Sequence, residues 1–468
     1  MKRFLLARFL LVYVLVPAFA GLLASCGGGH TIGYAYVIAN PPSGPEIFTF
    51  NVRSDNGALA PAQVPSTPLP TGQAGTAIAS VVSSDNLNLY VLFGATTDYS
   101  LNPTSGTPEG QPIGTPVASE VVHYTIAQDT GDLTLADSSP TAGLSAVSLA
   151  IDPSHNFLYA VDSFQDGFSL TNPGPGDVTV FALNSSGAVT APNCNSAAGG
   201  FSANNSIGCG YPVGFGPRGV SQSPANTNGI FLYVANSGNT IAAVTGTCYN
   251  TVSGFQVASS GALTPVTMAP PVSSCNGLPY PANSLPVGEV PWAVTSVIAN
   301  SGGNPFVYVS DLTQGNIYEY QTASTGTLSN AGLGTGGQGY ISGGTEPVYL
   351  IADPRARFVY VSDFEGGMLA YDIVASSGQL TSVDAGGYGT GAGPLCMAID
   401  PVEGKYIYTV NSVTGTVTGY TLNGSTGTLV ALPNSPFFVG AGSTASNASL
   451  PTCISVAANG STPVTGTP

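Results

Sequence analysis

Residues 393–432 read GPLCMAIDPVEGKYIYTVNSVTGTVTGYTLNGSTGTLVAL, and this stretch decides the fold. Four short runs in it, 396–399, 406–410, 417–422 and 429–432, alternate or are richly apolar. Asp-Pro-Val-Glu-Gly, Asn-Ser-Val-Thr-Gly and Asn-Gly-Ser-Thr-Gly separate them. Gly supplies positive φ and Asn and Asp make their own local turns, so the spacing predicts four antiparallel strands joined by tight hairpins. One such sheet cannot bury both faces alone and requires copies of itself on either side.

The copies are present. Tyr-Val-Ala-Asn at 233–236 is matched by Tyr-Val-Ser-Asp at 308–311 and 360–363, Tyr-Ala-Val-Asp at 159–162, Tyr-Thr-Val-Asn at 408–411 and Tyr-Val-Ile-Ala-Asn at 36–40, with a degenerate seventh at 89–93. Six have a first strand before them, near Ala77, Ala146, Pro217, Pro291, Pro347 and Pro394, and a third and a short fourth strand after them. Residues 34–40, 47–52 and 58–62 supply second, third and fourth strands with no first strand, whereas 451–457 is a first strand with nothing after it. Each end completes the other. The expected fold is all-β, a seven-bladed β-propeller over 34–459 with four-stranded antiparallel blades, closed by three N-terminal strands plus one C-terminal strand.

The run Asp-Pro-Val-Glu-Gly-Lys-Tyr-Ile-Tyr-Thr-Val-Asn at 400–411 resembles the repeat of the seven-bladed lactonase-like propellers. That family includes the 6-phosphogluconolactonases of the cycloisomerase type and the YVTN-repeat surface proteins. The resemblance covers nearly all of the chain after the N-terminal segment and implies the fold, because its residues are strand and turn residues and function belongs to the site. For activity it implies His, Arg and Glu residues gathered at the channel mouth. Pro217-Arg218-Gly219 resembles part of such a site but lacks a neighbouring His. The catalytic candidates are therefore Arg218, with Glu289 or Glu346 as a conceivable base.

At the N-terminus Lys2, Arg3 and Arg8 precede an apolar run at 9–23 that ends in Leu-Ala-Ser-Cys. This reads as a lipoprotein signal over 1–25, lipidation at Cys26 and a Gly-rich tether over 26–33, with a disordered tail at 460–468. Export and lipid anchorage to the cell envelope follow, and by resemblance to bacterial lipoproteins the Gly after Cys26 favours the outer membrane. From Cys26 onward five basic residues face 24 acidic ones, a formal charge of −19. No basic patch exists to neutralise phosphates, which excludes nucleic acid as a partner. The expected partners are the membrane through the lipid and an envelope protein or carbohydrate, with the chain itself a monomer.

Six further cysteines suggest disulfides in an exported chain. Cys194 and Cys209 share one insertion, and Cys248 and Cys275 fall on connections reaching the same face. Cys396 and Cys453 occupy equivalent places in neighbouring first strands, where a bridge would lock the ring and two buried thiols are the other reading.

Alternating strand direction brings the long connections 94–120, 163–177, 191–216, 237–251 and 267–290 to one face, where binding or chemistry belongs. Two polar sets surround the channel mouth there. Asn40, Asp162, Asn236, Asp311, Asp363 and Asn411 close the second strands, where capping of the following turn is their local role. Arg218, Glu289, Trp292 and Glu346 lie beside the residues that open first strands. Arg218 to hold an acid and Trp292 to stack on a sugar ring, with Asp311 and Asp363, form the candidate ligand site. A divalent cation such as Ca²⁺ would find hard oxygen ligands in Glu289, Glu346 and the Asp and Asn ring. His30, His123 and His155 are placed away from the mouth, and no Gly-x-Ser-x-Gly elbow is present. The sequence points to a ligand- or protein-binding module on the envelope; the alternative is a lactonase-like hydrolase of sugar lactones.

Overall fold

The structure, a computed structural model, describes residues 29–62, 67–68, 76–94, 118–167, 174–201, 207–238, 250–268, 283–299, 303–331, 339–440 and 450–460. The signal segment, Cys26, Cys248, Cys275 and residues 461–468 lie outside them. The opening stretch forms Pro394–Ile399, Tyr406–Asn411, Thr416–Leu422 and Leu429–Ala431, paired antiparallel in that order. Numbered from the first blade that is continuous in sequence, this is blade six. Blade five repeats the pattern as Pro347–Ala352, Phe358–Asp363, Gly367–Ile373 and Leu380–Ser382, and blade four as Pro291–Val297, Phe306–Asp311, Asn316–Thr322 and Leu328–Asn330. Blade three is Pro217–Gln222, Ile230–Ser237, Asn250–Val257 and Leu263–Pro265.

Blade seven is stitched from the two ends. Thr31–Ala39 lies between Glu46–Arg53 and Pro451–Ala458, with Tyr36 opposite Ser455 and Val37 opposite Ile454. Cys396 and Cys453 are bridged, Cα to Cα 4.8 Å, so a covalent link joins the first strands of blades six and seven. Both turn toward the axis, which settles the choice between a bridge and two buried thiols. Cys194–Cys209 closes its insertion.

Two details differ from the sequence expectation. Leu133–Ile151 is one strand of 19 residues that pairs with Ala118–Ile126 in blade one and with Phe157–Phe164 in blade two. The short connection there stays extended instead of forming a loop. The fourth strands also cover only the lower half of the third. In blade six Leu429–Ala431 pairs with 420–422, and the returning chain adds Phe437–Phe438 beside 416–417. Such a return protects backbone groups that would otherwise form a bare sheet edge.

The repeated tyrosine explains how blades are joined. Its hydroxyl donates across the seam to the carbonyl of the Gly in the next blade's third-to-fourth turn: Tyr90 to Gly187, Tyr233 to Gly326, Tyr308 to Gly378, Tyr360 to Gly427, Tyr408 to Gly57 and Tyr36 to Gly131, at 2.5–3.1 Å. The Tyr408 bond crosses the stitched closure. At the seam between blades two and three, the Tyr159 hydroxyl is buried without a partner. Gly378 and Gly427 have φ of +76° and +74°, and a Cβ would fall 2.2 Å and 2.5 Å from the rings of Phe306 and Phe358. Both the turn and the packing therefore require glycine.

Candidate functional site

The first strands line the axis and enclose a cavity of about 360 Å³. Each of blades three to six opens its first strand on a Pro, followed by a register shift against the second strand: 217/219, 291/294, 347/349 and 394/397. The bulge turns the residue after the Pro to the axis. Arg218, Trp292, Val348, Leu395 and Thr452 consequently meet on the channel wall. Leu312, Val348 and Phe364, with Val290 and Leu395, pack as an apolar collar around Trp292. Deeper in the channel the wall carries the hydroxyls of Ser80, Ser148, Ser221 and Thr295.

Arg218 is only 8% exposed, and its guanidinium carbon lies 5.0 Å from the centroid of the Trp292 ring. It is the sole charged side chain among the described wall residues. A guanidinium lying on an indole face in a half-dry cleft attracts an anion more strongly than it would in water.

The other candidates lie elsewhere. Asp311 is fully buried and accepts the backbone N–H of Glu289 (2.5 Å), Val290 (3.3 Å), Thr313 (3.1 Å) and Gln314 (3.0 Å). Asp363 accepts those of Thr345 (2.9 Å) and Glu346 (2.7 Å). These carboxylates tie the end of a second strand to the chain entering the first strand, and neither is on the described cavity wall. Glu289 is exposed and Glu346 half-buried, both outside that wall. Partial burial, and then the charges of Glu365 and Asp363, push the Glu346 carboxyl above the ordinary glutamate range.

His123 is buried in blade one, with Nδ1 2.9 Å from Asp137 and Nε2 2.8 Å from Asn88, and its ring is stacked on Tyr90. His30 lies beside Ser54, and His155 is 3.5 Å from Asp85. None of the three joins the described wall. No group of three or more His, Cys, Asp or Glu residues converges among the described residues. The sequence reading missed Asp177, which pairs directly with Asp162 across two strands. Burial pushes Asp162 to about 7, and burial together with the Asp162 charge pushes Asp177 well above its usual range. It also missed the wall hydroxyls, whose signal is the alternation along each first strand.

Residues 306–449 match the family model described as Lactonase, 7-bladed beta-propeller. The fold is similar to that of the periplasmic gluconolactonase of Pseudomonas aeruginosa, with a TM-score of 0.56 and 14% identity over 91% of this chain and 99% of that one. It is similar also to a 6-phosphogluconolactonase candidate from Bacteroides fragilis, with a TM-score of 0.54 and 15% identity over 91% of this chain and 98% of that one. A functionally unknown protein from Desulfotomaculum acetoxidans gives a TM-score of 0.55 at 14% identity, over 91% and 99% of the two chains. No curated protein sequence matches the chain. At these identities the structures speak for the fold, and the family match covers only residues 306–449.

Proposed function

We propose that this lactonase-like β-propeller binds a sugar acid or sugar lactone where Arg218 lies on Trp292, and that opening of the lactone ring is the reaction its site serves. The observation that carries the reading is a cavity of about 360 Å³ whose described wall holds one charge, the guanidinium of Arg218, against the only indole in the chain. The volume suits a monosaccharide-sized ligand. The sugar's C–H face packs on Trp292 while Arg218 pairs with a carboxylate or draws charge onto a lactone carbonyl oxygen. The described wall holds no base of its own; Glu346, outside that wall and with its carboxyl raised above the ordinary glutamate range, is the candidate whose part in proton removal the test below examines. Ring opening adds water across the acyl C–O bond and yields the hydroxy acid.

The second reading is binding without turnover, favoured by the lack of a carboxylate or imidazole among the described wall residues. The test is proton release from D-glucono-δ-lactone in a pH-stat, corrected for spontaneous hydrolysis. The proposal expects turnover that collapses in Arg218→Ala and falls in Glu346→Gln. Saturable binding of gluconate without turnover would support the second reading, and neither binding nor turnover would contradict both.

The charged and apolar N-terminal pattern ending at Cys26, and the Cys194–Cys209 and Cys396–Cys453 bridges, support export to an oxidising compartment with a lipid at Cys26. Labelling with a fatty acid that disappears in Cys26→Ser tests this, and unchanged labelling would contradict it.

A further inference from the structure

Blade two differs from blades three to six at one place. At the upper end of each of these blades the last residue of the Tyr-x-x-Asn/Asp motif stands opposite a residue of the third strand. In blade three Asn236 faces Thr251, and its amide nitrogen donates to Thr251 Oγ1 at 3.1 Å and Ser253 Oγ at 3.0 Å. In blade six Asn411 donates to Thr416 and Thr418, both at 2.9 Å. Asp311 faces Asn316 in blade four and Asp363 faces Gly367 in blade five. Blade two alone of these sets a second carboxylate there, Asp177 opposite Asp162.

Both aspartates have no exposed surface. Thr141 donates to Asp162 Oδ1 at 2.7 Å, and Thr179 Oγ1 lies 3.0 Å from Asp162 Oδ2 and 3.3 Å from Asp177 Oδ1. Asp177 Oδ2 is buried and has no hydrogen-bond partner. It converges with the Phe164 carbonyl over the bare face of Gly143, where a Cβ would fall 2.3 Å from Asp177 Oδ2 and 2.6 Å from the Phe164 oxygen. Among the described residues no Lys, Arg or His forms an ion pair with either aspartate. Two carboxylates taken out of water at one spot must be neutralised, either by a shared proton or by a bound cation. Blades three and six place the donating side-chain amide of an Asn at the corresponding position; in blade two the Gly143 N–H reaches Asp162 Oδ2 at 3.3 Å, and nothing donates to Asp177 Oδ2.

We propose that Asp162 and Asp177, with the Thr179 hydroxyl and the Phe164 carbonyl as neutral ligands, form a buried site for a hard cation of the calcium class. Oxygen-only ligands of mixed charge on two adjacent strands suit Ca²⁺, which tolerates irregular geometry, better than Mg²⁺, which demands a near-ideal octahedron. The site is separate from the channel mouth and does not depend on what binds there.

The test is thermal unfolding of the EDTA-treated protein at pH 8 with CaCl₂, MgCl₂ or NaCl, together with calorimetric titration of CaCl₂. A cation that binds only the folded state must raise the midpoint. The proposal expects a saturable rise of several degrees with Ca²⁺, a smaller one with Mg²⁺, and one tight site per chain. It expects the rise to vanish in Asp177→Asn and in Asp177→Thr, the second of which copies blade three. The proposal is overturned if none of the three salts shifts the parent, or if both variants keep the full Ca²⁺ response. Variants more stable than the parent, with no cation dependence in any of them, would show that a shared proton alone neutralises the pair, and would also overturn it.

Discussion

Tyr308→Phe removes a single oxygen atom from the seam between blades four and five. The Tyr308 side chain is fully buried, and its hydroxyl donates to the Gly378 carbonyl at 2.7 Å. The substitution forfeits one net hydrogen bond, about 1 kcal/mol, and leaves a buried acceptor short of its donor, which raises the cost to about 1–3 kcal/mol. Tyr159→Phe is the internal control. The Tyr159 side chain is equally buried, but its hydroxyl has no partner, so its removal relieves a desolvation penalty. That change is expected to be neutral or to stabilise by up to about 1 kcal/mol. Equilibrium urea unfolding of both variants and the parent measures the difference, provided the denaturant slope stays constant. If Tyr159→Phe costs as much as Tyr308→Phe, or if Tyr308→Phe is neutral, the seam bonds do not hold the blades together as described.

Cys396→Ser with Cys453→Ser removes a bridge spanning 57 residues and is expected to lower stability by about 4 kcal/mol on the loop-entropy model. Denaturant unfolding without reductant measures this; a loss near zero would show that strand pairing alone closes the ring. Glu319 is 5% exposed, and burial raises its carboxyl from the ordinary 4.5 to about 7. The folded state therefore holds a proton that the unfolded chain has released, and stability falls as pH rises from about 4.5 through about 7. Glu319→Gln keeps an acceptor for the Leu380 N–H and is expected to leave stability unchanged near pH 4 and to raise it by up to about 3 kcal/mol at pH 8. Unfolding curves at the two pH values check this, and an equal effect at both would refute it.

The Tyr-x-x-Asn/Asp motif was legible because strand alternation and turn residues repeat together, and the stitched blade because each end of the chain lacks what the other has. The axis-facing place after each Pro followed from the same alignment, which is why Arg218 and Trp292 could be paired from sequence. Asp177 could not be assigned to Asp162, because their register crosses a connection whose length hides it. Phe437–Phe438 and the other short returning strands carry too few residues to show a period. Asp311 and Asp363 had a capping role and a ligand role open to them; the backbone N–H groups they accept depend on how the following chain turns back, which spacing does not specify. The orientation of Cys396 and Cys453 toward the axis likewise depends on bulges that a repeat alignment does not reveal.

Trp292 is the single tryptophan of the chain, and it touches Arg218 at the proposed site, so its emission reports on that site alone. Titration with gluconate is the most direct measurement. The account predicts a saturable change in Trp292 emission and an affinity weakened about tenfold or more in Arg218→Ala, which keeps the fluorophore. Emission that ignores gluconate into the millimolar range, or a response unchanged in Arg218→Ala, would contradict the claim that this end of the channel recognises a sugar acid.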